Sequence, residues 1–445
     1  MSPESTGQNR AVAKLQALIR IPTVSHRDPE LVDRAAFDRL LVELATQFPL
    51  LHERLTLIRV GSHGLLFHWA GESAERPVVL MAHTDVVPVE GTWQHPAFDA
   101  VIADGVLWGR GTLDDKGCLV GICEAVETLL ERDFTPAQDV WLSFGCDEEI
   151  SGTAAPDAVG ELSARGVRPW FVLDEGGAVA HDAFPGVSRP VAVIGVTEKG
   201  VTSVELRVEG RGGHASMPPP MGPTARIARA ILRLEGAPFR ASLPAPTVEL
   251  LTRLAPHAPA PLRPLMANAS RLSPVLTRAL VAAGPESAAM VRTTAAVTTL
   301  SGSPALNVIA ATAKAGVNLR IMVGDTVTGA LDHLRAAIKD DQVWLDVVET
   351  GEPSPVSPFL GDAAFELLEE VIGEVFPDAI PAPYVMMAAT DSRHFTEICE
   401  RVYRFAPFRM SRAQRESIHS YDERINVADF IAGVGWYRTL IERVR

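Results

Sequence analysis

The sequence predicts an α/β protein in which a mixed, mostly parallel sheet is flanked by helices and an α+β domain is inserted. Short apolar segments alternate with helical ones in the first half of the chain, among them "PVVLMAHTD", "DVWLSFGCDEE" and "PWFVLDEGG". Strands with this pattern are typical of a buried sheet with helices on its faces. Downstream, "SVELRVEGRGGHASMP" and "ATAKAGVNLRIMVG" alternate apolar and polar residues, as half-exposed antiparallel strands do.

The order of these patterns divides the chain into two domains. Its 445 residues exceed what one ordinary hydrophobic core holds, and two helical patterns occupy the first fifty residues. We expect the first part of the catalytic domain at 1–195, the inserted domain at 196–352, and the second part of the catalytic domain at 353–445. Within the insert, a stretch rich in proline and alanine extends from about residue 237 to 290.

Composition disfavours several classes of function. The formal net charge of −14 argues against nucleic acid as a partner, because phosphate binding requires clustered lysine and arginine. The sequence contains no apolar run of roughly 18 residues, so we expect no membrane span. The N-terminal residues do not follow the pattern of a secretory signal, and the four cysteines form no CxxC pair. Together these features predict a cytoplasmic protein with reduced, buried cysteines.

Ionisable residues end three of the apolar segments, and others lie in a glycine-rich loop and near the C-terminus. Because ligands of an α/β sheet bind outside the carboxyl ends of its strands, we expect these groups to converge. One histidine alone is usually a hydrogen-bonded core residue, and one acidic residue is usually a helix cap. So many carboxylates in one cavity would repel one another and oppose folding unless divalent metal ions bound between them. The groups are His83, Asp85, Asp114, Asp115, Asp147, Glu148, Glu149, Asp174, Glu175 and His419.

In order and spacing, the motifs resemble those of the dinuclear zinc hydrolases, which include aminoacylase-1, carboxypeptidases G and S, several dipeptidases and succinyl-diaminopimelate desuccinylase. The resemblance covers nearly the whole chain and rests on five motifs, "HTDVVPV", "GRGTLDDKG", "DEEISGT", "LDEGG" and "IHSYDERI". "LDEGG", "VTEKG" and the long insert are most similar to carboxypeptidase S and the N-acyl-amino-acid hydrolases. The resemblance implies a zinc-peptidase catalytic domain and an inserted domain that serves as a lid and a dimer interface.

The resemblance also implies ligands for two divalent metal ions, with Zn²⁺ expected and Co²⁺ or Mn²⁺ compatible with the same residues. Asp114 would bridge both ions, while Glu149 and His419 would complete one site. His83 and Asp174 would complete the other. Either Asp174 or the adjacent Glu175 could reach the metal, since family members differ there. We prefer Asp174, because similar members ligate through the first acidic residue after the strand.

Two more residues near the metals have roles that the resemblance implies. Asp85 would accept a hydrogen bond from the far nitrogen of His83 and so fix the ring. Glu148 would be the general base, which takes a proton from metal-bound water and then protonates the leaving amine. A cis peptide bond between Asp114 and Asp115 is also implied.

Four residues outside the metal cluster match family positions that contact substrate. His214 would reach from the lid, often from the other subunit of a homodimer, and donate a hydrogen bond to the oxyanion. Asn307 and Arg320 match lid positions that bind the carboxylate of the substrate, and Arg393 matches a basic residue beside the same pocket. The alternative for each arginine is a surface ion pair, and for His214 an exposed loop residue.

The leading functional hypothesis is a metal-dependent amidohydrolase that cleaves N-acyl amino acids or short peptides with a free C-terminal carboxylate. A specific dipeptidase or desuccinylase is a narrower form of it. A non-catalytic binding protein of the same fold is a different class, which is disfavoured because every ligand position and the base are filled. A dinuclear phosphoesterase is also disfavoured, since the order of the motifs fits the amidases and we find no phosphate-cradling loop.

Overall fold

The computed structural model describes residues 3–184 and 186–445. They form α-helices, short 3-10 helices and β-strands, which are joined by turns and loops. The 3-10 helices are Pro29–Leu31, Glu148–Ile150, Ala255–His257 and Asp391–Glu397. The α-helices are α1 (Pro3–Ile19), α2 (Arg34–Gln47), α3 (Pro49–Arg54), α4 (Lys116–Leu130), α5 (Ala154–Ala164), α6 (Pro223–Glu235), α7 (Ala245–Leu254), α8 (Arg263–Ala267), α9 (Ser273–Ala283), α10 (Pro285–Ala289), α11 (Val327–Ile338), α12 (Ala363–Val375), α13 (Arg412–Arg415) and α14 (Val427–Arg443).

The strands form two main sheets and two small ones. They are β1 (Thr56–Val60), β2 (Gly64–Trp69), β3 (Ser73–His83), β4 (Val101–Ala103), β5 (Val106–Trp108), β6 (Gln138–Gly145), β7 (Phe171–Asp174), β8 (Ala178–Ala180), β9 (Val191–Glu198), β10 (Gly200–Glu209), β11 (Gly213–His214), β12 (Thr294–Ser301), β13 (Val308–Ile309), β14 (Thr312–Ile321), β15 (Trp344–Glu349), β16 (Ile380–Met386), β17 (Val402–Arg404), β18 (Arg409–Met410) and β19 (Arg424–Asn426).

The larger sheet has ten strands in the order β1-β2-β6-β3-β7-β17-β9-β8-β18, with β16 paired to β9. At its centre β3 is parallel to both of its neighbours, β6 and β7. At one edge of the sheet, β1 is antiparallel to β2, and β2 is antiparallel to β6. The predicted mixed, mostly parallel sheet flanked by helices is therefore confirmed.

The apolar run at the end of β3 is continuous because helices cover both faces of the sheet. Leu80 and Ala82 contribute to the core that includes α4, α12 and α14. Val79 and Met81, which point the other way, pack in a second core with α5. Alternate residues of a strand face opposite sides, so a strand buried on both sides must be apolar throughout.

The second sheet is antiparallel, with the order β12-β14-β10-β15. Val204, Leu206 and Val208 of β10 are buried in a core shared with α6 and α11. The residues between them are half-exposed, which accounts for the period-two pattern of the sequence. The chain passes from the first sheet to the second at Lys199, between β9 and β10, close to the boundary predicted at 196.

The helices α7 to α10 occupy the stretch from 237 to 290 and pack partly on the first sheet. Leu250 and Leu254 of α7 lie in a cluster with Ile380 and Ala382 of β16. This stretch therefore covers β16 of the catalytic sheet, although the sequence assigns it to the inserted domain. The predicted domain boundaries otherwise stay a prediction.

Two compositional expectations can be compared with the structure. All four cysteines are buried and free, as predicted. Among the described residues, no helix is both long enough and apolar enough to cross a membrane.

Candidate metal centre

The predicted ligands lie at one edge of the larger sheet, where three adjacent strands end. β3 ends at His83, β7 ends at Asp174, and β6 is followed by the 3-10 helix Glu148–Ile150. Because β3 is parallel to both neighbours, the carboxyl ends of all three strands point the same way. The loop that carries Asp114 reaches the same edge, just before α4 begins.

Asp114 lies between two histidines. Its Oδ1 is 2.9 Å from Nε2 of His83, and its Oδ2 is 2.8 Å from Nε2 of His419. The same nitrogen of His419 is 3.0 Å from Oε2 of Glu149. A carboxylate that turns one oxygen toward each of two imidazoles is placed to bridge two metal ions. The peptide bond between Asp114 and Asp115 is cis, as predicted.

Asp85 connects His83 to the two glutamates that follow β6. Nδ1 of His83 is 3.3 Å from Oδ1 of Asp85 and 3.0 Å from its backbone oxygen. The backbone N–H groups of Glu148 and Glu149 each donate to a carboxylate oxygen of Asp85, at 3.2 Å. Asp85 thus orients the imidazole and holds the turn that carries the predicted base and ligand. Its position explains why a buried strand ends in histidine and, two residues later, aspartate.

The donor set fits divalent metal ions. Oε1 of Glu149 is buried, and no hydrogen-bond partner for it is present in the described part of the chain. A buried carboxylate oxygen without a partner is costly unless a cation is bound nearby. Lys116 does not provide this cation, because its ammonium group donates to the carbonyls of Leu18 and Ile21 at 3.0 and 2.6 Å. A metal ion would satisfy the Glu149 oxygen.

The protonation of the cluster also indicates a need for cations. Hydrogen bonds with Asp114 and Glu149 raise the pKa of His419 to about 10. Burial alone lowers the pKa of His83, but hydrogen bonds with Asp114 and Asp85 outweigh it and raise that pKa well above its ordinary value. Burial raises the pKa of Glu148. Imidazolium groups therefore balance the carboxylates, and metal ions bound at the same nitrogens would replace those protons.

The geometry favours Glu175 over Asp174 as the remaining ligand. Oε1 of Glu175 is 4.0 Å from Nε2 of His83. Oδ2 of Asp174 instead accepts a hydrogen bond from the backbone N–H of Ser392 at 2.9 Å. One oxygen of Asp174 is thus turned to Ser392, so the sequence-based preference for Asp174 stays a prediction, and the position of Glu175 is the reason to propose this alternative. Among the described residues, the groups with ligand atoms within 4.8 Å of one another are His83 with Asp114 and Glu149, and His83 with Glu148 and Glu175.

The predicted lid residues lie in the inserted domain, and none of them hydrogen-bonds to the cluster within the described ranges. His214 pairs with Val308 in the ribbon formed by β11 and β13, and it is exposed. The backbone oxygen of Asn307 accepts from the N–H of Ala215 at 3.1 Å, which places His214 and Asn307 at the same exposed corner. Arg320 is half-buried on β14. The structure thus brings His214 and Asn307 together but does not join them to the metal ligands.

Arg393, by contrast, belongs to the catalytic side of the molecule. It lies in the 3-10 helix Asp391–Glu397, and its guanidinium donates to the backbone oxygen of Thr390 at 3.3 Å. The preceding residue, Ser392, donates to Asp174. Burial and the nearby Asp174 raise the pKa of Asp391 to about 8. Arg393 therefore lies on a turn that is hydrogen-bonded to the end of β7.

Glu423 belongs to the "IHSYDERI" motif, but sequence reasoning gave it no role. It is fully buried and forms an ion pair with Arg110 at 2.8 Å. Its carboxylate also accepts from backbone N–H groups of the loop that carries Asp114. Glu423 thus joins this loop to the segment of His419. Its position four residues after His419, in the same motif, is the sequence feature from which this role could have been inferred. The donating groups belong to Gly111, Leu113 and Asp114, at 3.1, 2.8 and 3.2 Å.

A site that gathers imidazoles and carboxylates beside the half-buried Glu148 can activate water for attack on a carbonyl carbon. Metal-dependent hydrolysis is therefore the class of reaction that this fold and this site support.

Comparison with known proteins narrows that class to a family. Residues 79–443 match the family described as Peptidase family M20/M25/M40, and the chain belongs to this family. It is 36% identical over 449 residues to the N-fatty-acyl-amino acid synthase/hydrolase PM20D1 of Xenopus tropicalis, covering 98% of this chain and 86% of that protein. It is 34% identical to the probable carboxypeptidase S-like 2 of Dictyostelium discoideum, covering 90% of this chain and 78% of that one.

The fold is also similar to solved structures. The M20 family metallo-carboxypeptidase Sso-CP2 of Sulfolobus solfataricus has a TM-score of 0.71 at 16% identity, with 99% of both chains covered. The family resemblance stated from the motifs is confirmed, and the chain is a metal-dependent hydrolase.

Proposed function

We propose that this protein hydrolyses the amide bond of N-acyl amino acids or short peptides with a free C-terminal carboxylate, using two divalent metal ions. The observation that supports the proposal is the position of Asp114, whose two oxygens each face one imidazole, at 2.9 and 2.8 Å. We propose Zn²⁺ as the metal, while Co²⁺ and Mn²⁺ fit the same ligands. His83, Asp114, Glu149, Glu175 and His419 are the proposed ligands.

The proposed mechanism assigns separate tasks to the residues around the cluster. When bound, the metal ions would polarise the scissile carbonyl and lower the pKa of water. Glu148 accepts the proton of the attacking water on its carboxylate and then donates it to the nitrogen of the leaving amine. Burial raises the pKa of Glu148, which favours uptake of the proton by its carboxylate. Asp85 keeps Glu148 in place through its hydrogen bond to the Glu148 backbone.

The substrate class follows from the relatives and from the arginines near the site. The frog relative is named for N-fatty-acyl-amino acids and the amoeba relative for carboxypeptidase S, and both names imply a carboxylate beside the cleaved amide. Asn307 and Arg320 from the lid and Arg393 beside the cluster are the groups that we propose bind this carboxylate. Arg320 forms no ion pair within the described residues, so its guanidinium can bind a ligand.

We propose that His214 supplies the oxyanion donor and that it acts across a homodimer formed through the lid. Nδ1 of His214 accepts a hydrogen bond from the backbone N–H of Ser216 at 3.1 Å. The proton of the neutral ring therefore lies on Nε2, which is free to donate. The exposed position of His214 on its ribbon suits a residue that reaches into a neighbouring subunit. A cytoplasmic location and the lack of a nucleic acid partner also remain proposals.

The test is metal analysis of the purified protein combined with a hydrolysis screen over N-acyl amino acids, dipeptides and phosphate esters. We expect two metal ions per chain and release of a free amino acid from the first two substrate groups. Metal binding without any turnover would favour the non-catalytic binding protein. Turnover confined to phosphate esters would favour the phosphoesterase. Activity on a single dipeptide or on one succinylated substrate would indicate the narrower enzymes.

A further inference from the structure

The stretch from 237 to 292 carries the opposite charge to the rest of the chain. It contains six arginines, two glutamates and no lysine or aspartate, a net charge of about +4, within a chain of formal charge −14. Arg253 forms ion pairs with Glu249 and Glu369. Arg240 and Arg278 have no ion pair or side-chain hydrogen bond within the described residues, and both are exposed.

Arg240 and Arg278 line the same cavity, which we call the arginine groove. It has a volume of about 540 Å³ and lies between residues 240–242 and helix α9. A volume of this size is within the range of small-molecule sites, and it far exceeds the space that a bare inorganic ion requires. The residues that line it are Arg240, Ala241, Ser242, Ser273, Pro274, Thr277, Arg278, Val281 and Ala282.

The polar groups of the arginine groove are two guanidinium groups and three hydroxyl groups, and no carboxylate lines it. Thr277 is 9% exposed, and within the described residues its hydroxyl has no hydrogen-bond partner. This hydroxyl group is open to the groove and can donate to a ligand there. A ligand that satisfies these groups must accept hydrogen bonds and carry negative charge.

The remaining wall is apolar. Pro274, Val281 and Ala282 of α9 and the adjacent Ala241 present only hydrocarbon to the groove. An anion attached to an apolar group would cover this wall and remove its apolar surface from water, which a bare anion would not do.

We propose that the arginine groove binds a carboxylate that carries an aliphatic chain, at a site separate from the metal centre. Arg240 and Arg278 bind the carboxylate, Thr277 donates to it, and the chain lies along Pro274, Val281 and Ala282. The choice of a carboxylate over a phosphate rests on the proposed function, since hydrolysis of an N-acyl amino acid releases such an acid. The existence of an anion site rests on the groove alone.

The experiment is calorimetric titration of the metal-loaded protein with dodecanoate, hexanoate and inorganic phosphate. These acids are not hydrolysed, so binding is measured whether or not the proposed function is correct. For the double variant Arg240→Ala/Arg278→Ala we expect an at least tenfold weaker affinity for dodecanoate, with metal content and hydrolysis rate unchanged. Arg271→Ala is the matched control, because Arg271 is exposed in the same stretch but does not line the groove. Its affinity should equal that of the wild type.

Two further variants separate the charge from the apolar wall. Arg278→Lys keeps the positive charge and should retain most of the binding, while Val281→Asp adds a carboxylate to the wall and should abolish it. Unchanged dodecanoate binding in the double variant would overturn the proposal. Equal affinity for hexanoate, dodecanoate and phosphate would also overturn it, because the groove would then be a site for any small anion.

Discussion

The two groups of predicted functional residues, at the carboxyl edge of the large sheet and at the corner of the inserted domain, are held in very different ways. At the sheet edge, His83 and Asp85 are almost completely buried, and each contacts groups from other segments of the chain. At the corner, His214 is exposed and bonds to Ser216 two residues away. The first region is organised by contacts between distant segments of the chain, whereas the described side-chain hydrogen bonds of His214 are local.

The difference has a physical cause. Buried ionisable groups must find partners within the protein, so segments distant in sequence converge on them. Glu423 illustrates this requirement. Its carboxylate accepts a hydrogen bond from the backbone N–H of Asp114. Its ion-pair partner, Arg110, donates to the backbone oxygen of Ser420, next to His419, at 2.6 Å. Exposed groups have water as a partner, so nothing within the chain fixes where they must lie.

The first prediction concerns the base at the rigid site. Glu148→Gln removes proton transfer but leaves the hydrogen bond from the Glu148 backbone to Asp85 unchanged. We therefore expect kcat to fall by roughly 100- to 10,000-fold with the metal content unaltered. Steady-state kinetics and metal analysis of the same preparation measure the two effects. The nearby Asp147→Asn is the control, because the carboxylate of Asp147 accepts from the N–H groups of Thr153 and Ala154, outside the cluster. Wild-type turnover in Glu148→Gln would disprove the assignment.

The sequence predicts much of the rigid site because His83 and Glu149 follow strands whose direction and burial can be inferred from apolar patterns, whereas the resemblance of the motifs supplied Asp114 and His419. His83, Asp114, Glu149 and His419 do meet at one place. For the remaining ligand, the choice between Asp174 and Glu175 stays a prediction. Adjacent residues at the end of a strand point in opposite directions, and the sequence does not reveal which of the two faces the cavity.

The inserted domain was predictable in its strands but not in its contacts. The alternation in β10 and β14 predicted which residues would be buried. By contrast, the packing of α7 on β16 depends on helical residues meeting a strand more than 100 positions away, and no local pattern encodes that pairing. Contacts between exposed lid residues and a substrate or a second chain are equally absent from local patterns.

The second prediction distinguishes the adjacent acids after β7. Glu175→Ala should lower the metal content from two ions to one per chain, because Glu175 is the acid that faces His83. Asp174→Ala should keep both ions but destabilise the protein by about 1–3 kcal/mol, because the N–H of Ser392 loses its acceptor in a buried place. Metal analysis and urea unfolding measure the two effects, with Asp174→Asn as the control that keeps an acceptor. Loss of metal in Asp174→Ala but not in Glu175→Ala would reverse the assignment.

The third prediction tests whether the exposed corner completes a site in a neighbouring subunit. Homodimers of Glu148→Gln lack the base, and homodimers of His214→Ala lack the oxyanion donor, so both should be inactive. In a mixed dimer, the chain with His214→Ala keeps its Glu148 and receives His214 from its partner, which restores one of the two sites. Random exchange at equal concentrations makes half of the dimers mixed, so activity should recover to about a quarter of the wild-type value.

The recovered activity should also depend on the association of the two chains into a dimer. Dilution below the dimer dissociation constant should abolish it, whereas a site completed within one chain would never recover by mixing. Ser216→Ala is a suitable control in the exchange, because the backbone N–H that fixes the ring of His214 is retained while the hydroxyl at 2.7 Å is removed. A full exchange of subunits, verified by mass, with no return of activity would show that His214 does not act across the interface. Any contribution of His214 to catalysis would then have to come from within its own chain.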